Sequence, residues 1–304
     1  MITIIGTVAF DGIETPQGKY DKILGGSAMY AATAANLFSD VGIVSIVGQD
    51  FDQEYFDYFK KRNIDTTGIA ISSNRTFFWQ GYYEKDLNQA FTRETQLNCL
   101  LEFDPKIPEK AQSSRIVLLA NVDPVLQKKA LDQFASPELV VLDTMNFWIS
   151  TKPNELKSII SQADVLIIND QEIRQLTQID NIIAAMPEVL KMGPKRLIVK
   201  KGEHGAIMFN GKDCFCLPAI PLTSVVDPTG AGDSFAGGFV GFLDSQPNLN
   251  EDAFRKAMIV GTMVSSFTVQ GFGVNRLASV TKSDIEQQFL LLKSAISLPT
   301  HLFE

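Results

Sequence analysis

Histidine and cysteine are scarce in this chain. Its 304 residues include two histidines, His204 and His301, and three cysteines, Cys99, Cys214 and Cys216. The cysteines have neither the number nor the spacing of a disulfide framework or a zinc site, and two histidines argue against a histidine-based metal centre. Cys214-x-Cys216 reads as a pair of strand residues. Long basic runs are also missing, and the net charge is −8, which disfavours a nucleic-acid partner. No apolar run reaches the length needed to cross a bilayer, so no membrane partner is expected. The first residues, Met1-Ile2-Thr3-Ile4-Ile5-Gly6, put no basic segment before their short apolar run, unlike a signal peptide; a cytoplasmic location is expected. The P-loop pattern G-x-x-x-x-G-K-[ST] is absent, as is a G-x-G-x-x-G after the first strand. No G-x-S-x-G elbow supports a nucleophilic serine.

What is present is a regular alternation of apolar strands and helical patterns. Strands are predicted at Ile2 to Val8, Gly18 to Leu24, Ile43 to Val47, Thr67 to Ile71, Ile116 to Ala120, Leu139 to Leu142, Val165 to Ile168 and Arg196 to Val199. Helical patterns fall at Ser27 to Phe38, Phe51 to Lys61, Pro124 to Phe134, Asn154 to Ser161, Glu172 to Leu176, Ile182 to Met192, Asp233 to Leu243, Asp252 to Val269 and Lys282 to Ile296. Ala206 to Phe209 and Cys214 to Leu217, joined through Asn210-Gly211, form a hairpin. This order predicts an α/β fold with a mostly parallel sheet covered by helices on both faces. One stretch departs from it. Thr76 to Tyr83 and Ala90 to Arg93 are aromatic and β-prone, and predict an antiparallel element outside the main sheet. Ligands on parallel sheets bind beyond the strand C-termini, which gathers Asp11, Asp143, Asn169, Gly202 and Asp233 along one edge.

The most informative stretch is Asp227-Pro228-Thr229-Gly230-Ala231-Gly232-Asp233-Ser234-Phe235. An apolar run delivers the chain to a turn broken by Pro228, Gly230 and Gly232, and a helix begins at about Asp233. Glycines at a helix start leave backbone N–H groups open to an anion, favoured also by the positive end of the helix dipole. Asp233 places a carboxylate at the mouth of that cradle. Such a pair can hold a transferring phosphoryl group while the carboxylate takes a proton from the attacking hydroxyl.

This stretch resembles the signature of the ribokinase-like sugar kinases, also called the phosphofructokinase-B family, and further similarities span nearly the whole chain. The resemblance implies a three-layer αβα sandwich over residues 1–304 with a small β lid formed by about 12–24 and 72–95. It implies an ATP-dependent kinase acting on a hydroxyl of a sugar or nucleoside, with magnesium. In that reading Asp233 is the general base, and the amides of Gly230, Ala231 and Gly232 hold the transferring phosphoryl. Asp11 and the Gly25-Gly26 pair hold the acceptor. Tyr30 stands close to where many members have an asparagine, and Trp79 adds aromatic surface. Asn169-Asp170-Gln171-Glu172 matches the family's Asn-x-x-Glu, which steers magnesium through water; by its residue types alone it is also a helix-capping arrangement. Lys200, Gly202 and Gly205 fall along the nucleotide segment, where the lysine departs from the family pattern. Gly261 falls where adenine is seated. Asp227 is where some members brace the loop with a monovalent cation, potassium, and the lid is where some could pair as homodimers. Asp143-Thr144-Met145-Asn146 matches the family's Asp-Pro-Asn-x-Arg only partly, without the arginine. A nucleotide-binding regulator without turnover is the reading from another class.

Overall fold

The computed structural model describes residues 1–297; His301 lies outside the described residues. Among the described residues thirteen strands fall into two sheets. In chain order they are β1 (Ile2–Ile5), β2 (Ala9–Thr15), β3 (Gly18–Gly25), β4 (Val41–Val47), β5 (Asp65–Ile71), β6 (Phe78–Tyr83), β7 (Ala90–Gln96), β8 (Ile116–Leu119), β9 (Leu139–Asp143), β10 (Val165–Asn169), β11 (Arg196–Lys200), β12 (Ala206–Phe209) and β13 (Cys214–Leu217). The nine-stranded sheet has the order β13-β12-β11-β10-β9-β8-β1-β4-β5. All its pairings are parallel from β11 to β5, and the β12–β13 hairpin is antiparallel at one edge.

Both faces of this sheet are covered, which explains why its strands read as unbroken apolar runs rather than alternating ones. Ile2, Ile4, Ile43, Leu118, Val141 and Ile167 point to one face, against the helices Ser27–Ala35, Ala231–Asp244 and Glu251–Thr268. Ile5, Val44, Leu119, Leu142 and Ile168 point to the other, against Pro124–Leu131, Pro153–Ile160 and Ile182–Leu190. The result is a three-layer αβα sandwich. Because β9, β10 and β11 run parallel and in register, Asp143, Asn169 and Lys200 come together at their C-terminal ends.

The first strand corrects the sequence expectation. Ile2 to Val8 is not continuous: β1 stops at Ile5, and the chain crosses into β2 of a second sheet. The break has a polar cause. Thr7 and Ser27 exchange backbone and hydroxyl hydrogen bonds at 3.0–3.2 Å, which fixes residues 6–8 against the start of the Ser27–Ala35 helix instead of the sheet. Asp11 therefore lies inside β2, not after a strand of the main sheet. The second sheet has the order β3-β2-β6-β7. Its outer pairs are antiparallel, β6–β7 as expected, but the central β2–β6 pair is parallel. Short helices at Asn146–Thr151 and Asn275–Ala278 have too few residues to show a periodic pattern in sequence. Among the described residues no helix is long and apolar enough to cross a membrane.

Candidate active site

Two helices bring the site together. Ser27–Ala35 and Ala231–Asp244 run side by side in the same direction, close enough that their backbones nearly touch. A Cβ at Gly237 would lie 2.1 Å from the Ala31 carbonyl, and one at Gly241 2.7 Å from that of Ala35. Both helix starts therefore open at the same end of the core. Each is preceded by a glycine with positive φ, Gly26 at 94° and Gly230 at 75°, a conformation that other residues adopt only with strain.

The glycine-rich turn is tied at both ends. Asp227 is fully buried; one of its oxygens accepts from the Thr229 amide at 2.9 Å and the other from the Gly273 amide at 3.2 Å. Among the described residues no side chain caps the helix start at Gly230. The Ala231 amide leans on the Pro228 carbonyl at 3.2 Å. Asp233 stands in the first turn of this helix, where a carboxylate complements the dipole. Burial nevertheless pushes its carboxyl up to about 7, with Asp143 adding to the rise and Lys200 opposing it. A carboxyl at that value is poised to gain and lose a proton near neutrality.

Lys200 joins the strand ends to the turn. Its ammonium lies 3.3 and 3.5 Å from the carboxylate oxygens of buried Asp143, and a Cβ on Gly232 would sit 2.8 Å from it. Next to it, Asn169 and Glu172 form a complete capping box. The Asn169 side chain accepts from the amides of Gln171 and Glu172 at 2.9 and 2.8 Å, and Glu172 accepts from the Asn169 amide at 2.6 Å. The capping reading is thus physically present. Burial pushes the Glu172 carboxyl up to about 7, against the pull of Lys200.

On the other side, β2 brings in Asp11, which is 4% exposed. It lies against Gly25, where a Cβ would meet its carboxylate at 1.9 Å, so only glycine admits it. Burial, then repulsion from Asp227, pushes its carboxyl up to about 8. Tyr30 lies between these groups. Its ring packs on Gly230, and its buried hydroxyl has no hydrogen-bond partner among the described residues. Trp79 is the register partner of Asp11 and so shares its face of the small sheet. Its ring lies over Gly81, and its indole N–H donates to the Thr92 hydroxyl at 3.1 Å. From the same face Thr15 donates to the Val226 carbonyl at 2.8 Å, and the Tyr83 hydroxyl meets that of Thr229 at 3.0 Å. That face looks onto the glycine-rich turn.

Other expected residues have structural explanations. Gly202 and Gly205 have positive φ in the turn after β11, and Asn88 of the β6–β7 connection lies against Gly202. Gly261 is buried between helices, where a Cβ would meet the Phe235 carbonyl at 2.8 Å. That close packing is by itself a structural reason for glycine at this position. The sequence placed Asp143 on the ligand edge and Thr229 in the glycine-rich motif, but it did not show the contacts Asp143 makes with Lys200 or Thr229 makes with Tyr83. Asp143 ends a strand on the expected edge, and Tyr83 falls on the same strand face as Trp79.

The geometry agrees with independent comparisons. Residues 1–281 match the family model described as pfkB family carbohydrate kinase. The chain belongs to the pfkB family of carbohydrate kinases. Membership places it among phosphotransferases with the ribokinase-like fold. A cytidine kinase from Thermococcus kodakarensis is 27% identical over 81% of this chain and 90% of its own length. A ribokinase from Lactococcus lactis is 26% identical over 92% of this chain and 95% of its own. Among solved structures, a Burkholderia thailandensis nucleoside kinase in complex with ADP-inosine aligns over 100% of both chains with a TM-score of 0.79 at 18% identity.

Proposed function

We propose that this protein transfers the γ-phosphoryl group of ATP to a hydroxyl of a sugar or nucleoside, with Asp233 as general base. One observation carries the proposal: Asp233 stands in the first turn of an uncapped helix behind the glycine-rich turn, within electrostatic reach of Asp11. The acceptor hydroxyl, held by Asp11 and the Gly25-Gly26 backbone, gives its proton to Asp233 as its oxygen bonds to the γ-phosphorus. The bond from phosphorus to the β-phosphate oxygen breaks, and its electron pair leaves with ADP. Amides of Gly230, Ala231 and Gly232 offset the charge on the phosphoryl oxygens. The nucleotide lies along Asn169, Lys200 and the Gly202–Gly205 turn.

The residues near Glu172 suit magnesium. Among the described residues no group of three or more His, Cys, Asp and Glu side chains converges to hold an ion directly. A magnesium ion here would rest chiefly on phosphate and water, as it commonly does in kinases, with Glu172 steering the water. When bound with ATP it offsets phosphate charge. Asp227 is the residue that would brace the turn through a monovalent cation, which a potassium dependence of the rate would test. The small sheet serves as a lid over the acceptor and would be the place for a second copy to pair.

Two acceptor classes fit. A sugar fits the family description, and a nucleoside is favoured by Trp79 beside Asp11, which offers a face for a base. Asp233 argues against a binding-only regulator, which has no use for a buried carboxylate there. The test is ADP release from MgATP with a panel of sugars and nucleosides. Acceptor-dependent release supports the proposal, and its absence across the panel refutes it.

A further inference from the structure

We infer that Lys200 is a catalytic cation of the phosphoryl cradle and that Asp143 is its positioning residue. The inference rests on the kinase reading and adds a role that the glycine-rich turn alone does not provide. Gly232 is the starting point. It lies inside the Ala231–Asp244 helix, and its φ is not positive, so backbone conformation does not require glycine there. A glycine inside a helix costs about 1 kcal/mol relative to alanine. The missing Cβ leaves room for one group: the Lys200 ammonium, 2.8 Å from where that Cβ would stand. The lysine side chain is 18% exposed, and lysines so enclosed are held by partners.

The partner is Asp143, but the contacts of 3.3 and 3.5 Å are longer than the roughly 2.7–2.9 Å of a well-formed charge-assisted hydrogen bond. Asp143 holds the ammonium without claiming all its donors. The other charged groups acting on Lys200 are Glu172 and Asp233, and Lys200 is the cation that acts on both of them in return. The ammonium thus stands between the strand ends and the helix start, beside the amides proposed to receive the phosphoryl. Charge in phosphoryl transfer spreads over three equatorial oxygens. A flexible lysine on the open side of the cradle can follow them as the bond to ADP breaks and the bond to the acceptor forms. Lys200 itself makes and breaks no covalent bond; the proton still goes to Asp233.

The test couples two substitutions. Lys200→Met should lower kcat by about 10²-fold or more while the KM for ATP changes only a few-fold, the signature of an interaction made chiefly in the transition state. Gly232→Ala should lower kcat at least tenfold by displacing the ammonium, and should cost little further when added to Lys200→Met. Asp143→Asn should fall between, with the lysine present but no longer held. Additive losses from Gly232→Ala and Lys200→Met, or a raised KM for ATP with kcat untouched, would overturn the inference. A readout without turnover separates this from the kinase reading. ADP with aluminium fluoride, a mimic of the transferring group, should raise Tm beyond ADP alone in the wild type and lose that increment in Lys200→Met. An unchanged increment counts against Lys200. Wild-type protein that passes phosphate to no acceptor counts against the kinase reading instead. If Lys200→Met does not fold, Gly232→Ala carries both measurements.

Discussion

The Tyr83 hydroxyl lies 3.0 Å from the Thr229 hydroxyl, so the small sheet and the glycine-rich turn share a hydrogen bond. Thr229 is part of the motif itself, and its amide is tied to Asp227. Contact between the sheet and the turn is therefore linked to the order of the cradle. Tyr83→Phe removes the hydroxyl and keeps the ring. A neutral hydrogen bond is worth about 1 kcal/mol, so the KM for the acceptor should rise roughly 3- to 10-fold. ATP hydrolysis without acceptor should increase, and the KM for ATP should stay near its starting value. A variant that loses only Tm, with normal acceptor kinetics, would show that the contact is merely structural.

Asp233→Asn keeps the shape of the side chain and removes its basicity. kcat should fall about 10²–10⁴-fold, the usual worth of a positioned base, with ATP affinity within a few-fold of wild type. Single-turnover kinetics with saturating ATP measures this directly. Near-normal turnover would take the base role away from Asp233.

Glu172→Gln separates two roles that the sequence left entangled. The capping box needs an acceptor for the Asn169 amide, and the glutamine carbonyl oxygen provides one. Tm should therefore change little. The negative charge is lost, so the magnesium concentration for half-maximal rate should rise several-fold. A lower Tm with an unchanged magnesium dependence would leave Glu172 as a cap only.

The sequence was legible where one physical demand dominates. Strands buried on both faces need unbroken apolar runs, so β8 to β11 were placed to within a residue or two. The glycine-rich turn was legible because few residues tolerate the backbone that Gly230 adopts. What escaped depended on partners distant in sequence. The end of β1 is set by Thr7 meeting Ser27, and the parallel β2–β6 pair joins segments some 70 residues apart with no local signal. At Gly261 helix packing and ligand approach both call for a small residue, so the residue type alone does not separate them. Gly232 and Lys200 lie in separate motifs, and only the fold shows that one makes room for the other.

Acidity should stabilise the protein over a defined window. Burial raises the carboxyls of Asp11 to about 8 and of Glu172 and Asp233 to about 7, all above their ordinary values. The folded state therefore binds protons more tightly than the unfolded state. This contribution is fully present below the ordinary carboxylate range and is lost as pH rises through 7 to 8. In the absence of nucleotide and magnesium, Tm should rise by a few degrees between pH 8 and pH 5.5. Asp11→Asn should flatten the slope most, because its shift is the largest of these. A Tm that increases with pH across this interval would contradict the burial argument. Magnesium, by favouring ionised carboxylates, should weaken the trend.

Trp79 gives the acceptor question an optical answer. It shares a sheet face with Asp11, and its indole is anchored to Thr92. Trp148 sits elsewhere, donating to Asn121 at 3.0 Å, so Trp148→Phe leaves an enzyme whose tryptophan emission comes from Trp79 alone. A nucleoside base stacking on the indole should quench that emission, while a sugar should shift it only modestly through changed solvation. Trp79→Phe keeps an aromatic face but loses indole area and the bond to Thr92. If Trp79 lines the acceptor site, the KM for the acceptor should rise about 3- to 10-fold, in line with the energy of one stacking contact. ATP binding should be unaffected. The direction of the fluorescence response across the panel then separates the two acceptor classes. Emission indifferent to every acceptor that supports ADP release, together with a normal KM in Trp79→Phe, would mean that Trp79 only packs the small sheet over Gly81. The acceptor would then be held by Asp11 and the glycine pair without an aromatic wall.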